Sequence, residues 1–165
     1  MINPILEQSI ITFLARAEAI SQLGQRILAS ELKGLQSELT VPLPEWYFEL
    51  FSSFPLAGLS VDVPVYESDD GDDGYMTVKI GTARDIYSET EQCYPGISIR
   101  ELGYVCLALD MTGGGDPYFM KVTEDDNPPV YQVYHDVGDT ATAIEQHGML
   151  KVAASLADFF DKARV

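Results

Sequence analysis

The sequence predicts an α+β fold: a mainly antiparallel sheet of about five or six strands, flanked by N-terminal and C-terminal helices. Three observations carry this expectation. Apolar residues near the start recur at spacings of three and four; after residue 58 the pattern becomes short β-branched and aromatic runs between Gly, Asp, Asn and Pro; and helical spacing returns at residue 148. A chain of 165 residues, 46% apolar and 22% charged, is read as one domain, 1–165, able to bury a sizeable core.

Residues 4–39 read as helix. Leu6, Ile10, Phe13, Ala17, Ile20 and Leu23 draw one apolar stripe, and Asn3 before Pro4 supplies a capping side chain followed by a residue suited to the first helical position. Gly24 and Gly34 weaken the segment, so one long helix or two joined near Gly24 is expected. Prolines 42 and 44 stop a helix from running through "VPLPEWYFELF", although Pro44 can open a new one bearing Trp46, Phe48, Leu50 and Phe51. Trp46 is assigned to the core. The runs "LSVDVPVY", "YMTVKI", "YVCLALDM", "YFMKV" and "VYQVY" read as antiparallel strands. Finally "GMLKVAASLADFFDKA" reads as helix, with Met149, Val152, Leu156, Phe159 and Phe160 on one side.

The net charge of −16 is concentrated in the middle of the chain. Residues 59–139 hold seventeen acids and four bases, a net −13, while residues 1–58 amount to −3 and residues 140–165 to zero. Such a field repels phosphate backbones and anionic lipid heads and attracts basic surfaces, so direct nucleic-acid and membrane binding are disfavoured and a basic protein partner is favoured. Cys93 and Cys106 are too few for a disulfide framework and are read as reduced thiols. The apolar cluster "IITFLA" is interrupted by Gln8 and Arg16, which fits neither a signal peptide nor a membrane span, and a cytoplasmic location is expected.

No motif for a reaction emerges. The glycines of "MTGGGDPYF" lead into a strand instead of a helix and lack the Lys and Ser or Thr of a phosphate loop, so they read as a hairpin turn. "ESDDGDDGY" crowds four aspartates into five positions, but counting twelve from Ser68, Asp69 or Asp70 reaches Lys79, Ile80 or Gly81, where a calcium loop needs Glu. "GISIR" puts Arg100 where a nucleophile elbow needs glycine. His135 and His147 lie twelve apart without further ligands, and Cys106 sits in an apolar strand as a small hydrophobe. No cofactor or metal is expected. What remains is a surface pattern: Tyr66, Tyr75, Tyr104, Tyr118, Tyr131 and Tyr134 lie in or beside the strands and turns that carry the acids. They serve a protein-binding face, or they pack the sheet with wet hydroxyls.

The order of segments resembles a family. "LPEWYFELFSSF" resembles the helix that opens domains of the SUKH superfamily, the Smi/Knr-type proteins. "LALDMTGGGDPYFMKV" is similar to that family's strand, Gly-Asp turn and strand, "DNPPVYQVYHD" to its Pro-Pro-Val strand, and "KVAASLADFF" to its closing helix. The resemblance covers residues 42–162 and leaves 1–39 as an N-terminal helical extension; "PLAG" stands where the family usually has Asn-Gly. It implies helices against a mainly antiparallel sheet and no enzyme activity, since bacterial members resemble immunity proteins that neutralise a toxin domain, often a nuclease. The alternatives are a regulatory scaffold of the same fold, or a hydrolase using Asp110 and Asp116, which otherwise match the family's turn and read as structural. The expected partner is a basic toxin domain, met by Asp69, Asp70, Asp72, Asp73 and Tyr75 together with Glu124, Asp125, Asp126, Tyr131 and Tyr134.

Overall fold

The computed structural model of the chain describes residues 1–65 and 74–165. Its strands are β1 (Ser60–Pro64), β2 (Tyr75–Ile80), β3 (Tyr104–Asp110), β4 (Tyr118–Lys121), β5 (Val130–Val133) and β6 (Met149–Ala153). They lie side by side in chain order, each antiparallel to the next. Helices α1 (Pro4–Ala19), α2 (Ala29–Glu38) and α3 (Glu45–Ser53) precede the sheet, α4 (Ala83–Tyr87) and α5 (Gly96–Ile99) join β2 to β3, and α6 (Ala141–His147) and α7 (Leu156–Lys162) flank β6. The α+β expectation holds.

The helix start read from Asn3 is present: its side-chain oxygen accepts from the amides of Ile5 and Leu6 at 3.0 and 3.4 Å, with Pro4 in the first helical position. Leu6, Ile10, Phe13 and Ala17 are fully buried, but the stripe stops there, and Ile20 and Leu23 are about half exposed. The chain forms two helices because backbone bonds to a distant segment replace the helical ones. Gln25 pairs with Ala57 in both directions, at 2.8 and 3.0 Å, and the Ile27 amide donates to the Phe51 carbonyl. The Glu31 carboxylate, accepting from the Leu28 amide at 2.9 Å, then opens α2.

Alternation along the strands gives the sheet two apolar faces. One carries Val61, Val63, Val78, Ile80, Val105, Met120 and Val130 into a large core with α1, α3 and α7, where the Phe13 and Phe160 rings lie 5.3 Å apart. Trp46 joins this core, as expected. Each fully buried Phe or Leu there contributes on the order of 2 kcal/mol. The other face carries Tyr104, Cys106, Phe119 and Val133 into a smaller cluster closed by Ile99 of α5 and Ile144 of α6.

One stretch differs from the sequence reading, and a second has no helix or strand reading in the sequence. Residues 149–153, expected to be helical, are the strand β6. Met149 packs with the smaller cluster and Val152 with the larger, so the pair never formed one helical stripe. The helix begins only after Ser155, whose hydroxyl accepts from the Asp158 amide at 3.1 Å, while the Asp158 carboxylate accepts from the Ala154 amide at 2.9 Å. The second stretch, 83–102, carries no strong period in the sequence. It forms α4, a π-helical turn at Ser88–Gln92, α5 and a 3-10 turn at Arg100–Leu102. Thr90 ties it to the sheet by accepting from the Cys106 amide at 3.1 Å.

The glycine run turns the chain between β3 and β4, as read. Gly113 and Gly115 have φ of 92° and 77°. The Asp110 carboxylate holds the turn by accepting from the amide and hydroxyl of Thr112 and from the Gly114 amide, at 2.7, 2.6 and 2.9 Å. Among the described residues no helix is long and apolar enough to cross a membrane.

Candidate protein-binding surface

Among the described residues, the expected interface residues do not form one patch. Asp69, Asp70, Asp72 and Asp73 lie outside the described residues. Tyr75 opens β2 opposite Pro64, three strands from Tyr131, and its ring face is covered by the Arg164 guanidinium at 3.5 Å. Tyr134 follows β5, with its amide bonded to the Gly148 carbonyl, and alternation turns its side chain to the face opposite Tyr131. Asp126 is directed at the start of α1, where it accepts from the Asn3 side chain at 3.0 Å.

Glu124, Asp125 and Tyr131 do come together. With Tyr104, Lys121, Pro128 and Pro129 they line a groove of about 300 Å³ on the sheet face that carries the smaller cluster. The rings of Tyr104 and Tyr131 meet edge to face with centroids 6.2 Å apart. Two cations of this chain already use them: Lys121 sits 5.6 Å from the Tyr104 ring and pairs with Glu124, and Lys151 sits 5.8 Å from the Tyr131 ring. The Tyr104 hydroxyl donates to Glu145 at 3.1 Å; burial, followed by that carboxylate, pushes the phenol well above its usual range. Asp125 closes its own loop by accepting from the Asn127 amide at 3.0 Å. The Asn127 side chain in turn accepts from the Ala157 amide at 2.9 Å, which fixes the β4–β5 loop against α7.

The residues weighed for chemistry are otherwise engaged. Asp110 holds the turn, and Asp116 accepts from the His135 amide and meets its Nδ1 at 3.1 and 2.7 Å. The Cys106 thiol is fully buried, and burial, then the nearby carboxylates of Glu89 and Asp85, push it well above the ordinary thiol range. It packs as the small hydrophobe read from the sequence. Both cysteines are free thiols.

The model of the SMI1/KNR4 family (SUKH-1) matches residues 27–162. The chain belongs to that family. No curated protein and no solved structure matches it. The SUKH-1 match runs from just before α2 to the last residue of α7, so α1 lies outside it even though α1 packs directly on α7.

A second groove on this SUKH-1 chain went unread in the sequence. Tyr94, His135, Asp136, Gly138 and Asp139 line an open concavity of about 490 Å³. Its tyrosine lies in the aperiodic stretch before α5, and its acids sit in the loop between β5 and α6. The Ser98 hydroxyl donates to the Asp139 carbonyl at 2.6 Å and joins the two segments. A spacing rule sees neither. Helix α6 links the grooves: it starts after the 134–140 loop, and its Glu145, about 6 Å along the helix axis from Ala141, reaches Tyr104.

Proposed function

We propose that this chain is a non-enzymatic protein-binding module that neutralises a basic toxin domain, a nuclease being the fitting kind, by one-to-one association. The observation that carries the reading is SUKH-1 membership over residues 27–162 in a chain whose residues 59–139 hold a net −13. A field of that sign speeds encounter with a cationic surface, and a few desolvated aromatic side chains then set the affinity. The proposed contact surface is the acidic, tyrosine-bearing side that includes the Glu124, Asp125 and Tyr131 groove. The acidic segment with Asp69, Asp70, Asp72 and Asp73 is proposed to add to the attraction. Co-expression with the toxin domain encoded beside its gene tests the reading. The expected result is restored growth together with a purified complex of one chain to one toxin. Cells that die while the chain is abundant and properly folded would overturn it.

A further inference from the structure

We infer that the groove between Tyr94 and the loop of residues 135–139 receives a lysine or arginine side chain of the protein partner. This rests on the protein-binding reading above and adds where, and by what chemistry, the partner is anchored.

The two tyrosine and acid grooves differ in one respect that decides between them. In the groove with Tyr131, the ring faces and Glu124 are already taken by Lys121 and Lys151. The groove with Tyr94 contains no lysine or arginine among its lining residues. Tyr94 is 57% exposed, and its ring has no hydrogen bond or ring contact among the described residues. Asp136 and Asp139 are exposed beside it, and the ring of His135, the one basic group in the lining, is tied to Asp116.

These parts match a long cationic side chain. The methylene stem lies along Tyr94, the charged head meets the ring's negative face, and the Asp136 and Asp139 carboxylates accept its N–H groups. An exposed tyrosine that becomes desolvated on binding has the character of an interface anchor. The Ser98 bond to the Asp139 carbonyl holds the loop in place beforehand, which lowers the ordering cost of binding.

The test uses the full chain, labelled with ¹⁵N, and the amidated peptide Gly-Arg-Gly-Arg-Gly as probe. The largest amide shifts are expected at Tyr94 and residues 135–139. Tyr94→Ala and the double variant Asp136→Asn/Asp139→Asn should each weaken peptide binding about five-fold or more, and Tyr94→Phe should retain it. The charge-matched pair Glu7→Gln/Glu18→Gln, both exposed on α1, which packs on α7, should change it less than about two-fold. Equal losses in both double variants would overturn the inference, because net charge alone would then explain binding. Shifts centred on Glu124 and Tyr131 would also overturn it while leaving the protein-binding reading intact. A chain that fails to neutralise the toxin, yet binds the peptide at Tyr94, would sink neutralisation and keep the groove.

Discussion

At Gly96 there is no room for a methyl group. A Cβ built there would lie 1.8 Å from the Glu89 carbonyl oxygen, a backbone atom of the π-helical turn that cannot swing aside. Gly96→Ala is therefore expected to destabilise the fold by at least ~3 kcal/mol in urea unfolding. Gly34, exposed within α2 with nothing near its missing side chain, gives the opposite outcome: Gly34→Ala should stabilise by ~0.5–1 kcal/mol through helix propensity. Tyr47 offers a second contrast. Its ring is fully buried in the large core while its hydroxyl has no hydrogen-bond partner among the described residues, and burial, then the charge of Cys106, push the phenol far above its usual range. Tyr47→Phe removes an unpaired buried polar atom and keeps the ring, so thermal unfolding should show unchanged or higher stability, by up to ~1 kcal/mol.

Among the elements, the turn after β3 and the loop after β5 are joined by His135 and Asp116. The hydrogen bond that the imidazole donates to that carboxylate, then the carboxylate's charge, raises the imidazole above its ordinary 6.5. A histidine whose affinity for protons is higher when folded stabilises that tie below pH 6.5, and the contribution is lost as pH rises through the raised value. Titration followed by NMR should place the His135 midpoint above 6.5, and Asp116→Asn should bring it down; an unmoved midpoint would separate the two residues functionally. The elements legible in the sequence were those with a regular period or an unbroken apolar run. The stripe from Leu6 to Ala17 buries one periodic set, β1 alternates toward the core, and β3 reads as a continuous apolar run because it is covered on both faces. Residues 149–153 misled because Met149, Val152 and Leu156 satisfy helical spacing by coincidence, and only tertiary pairing with β5 selects the strand. For the candidate site, the acids and Tyr131 were visible as local composition, whereas the Tyr94 groove joins residues more than 40 positions apart through loops without periodicity.

For the whole molecule, the governing quantity is its uneven charge. With most of the −16 held between residues 59 and 139, the association rate with a cationic partner should fall steeply as sodium chloride rises from about 0.05 to 0.5 M, while dissociation changes little. Stopped-flow measurement across that range checks it, and a flat association rate would remove the steering claim. The same scale explains why the family order was legible: SUKH-1 resemblance lies in the succession of segments from α3 to α7, which no single motif carries. The packing of α1 on α7 has a consequence for how the chain is made. Phe13 needs Phe160, and the Arg16 guanidinium donates to the carbonyls of Phe160 and Ala163 at 3.3 and 3.2 Å. During translation the opening helix therefore emerges from the ribosome some 140 residues before its mate. Until α7 has been made Leu6, Ile10 and Phe13 stay without its cover, so the nascent polypeptide exposes an apolar face that a holdase chaperone can shield, and closure of the core must follow the release of α7.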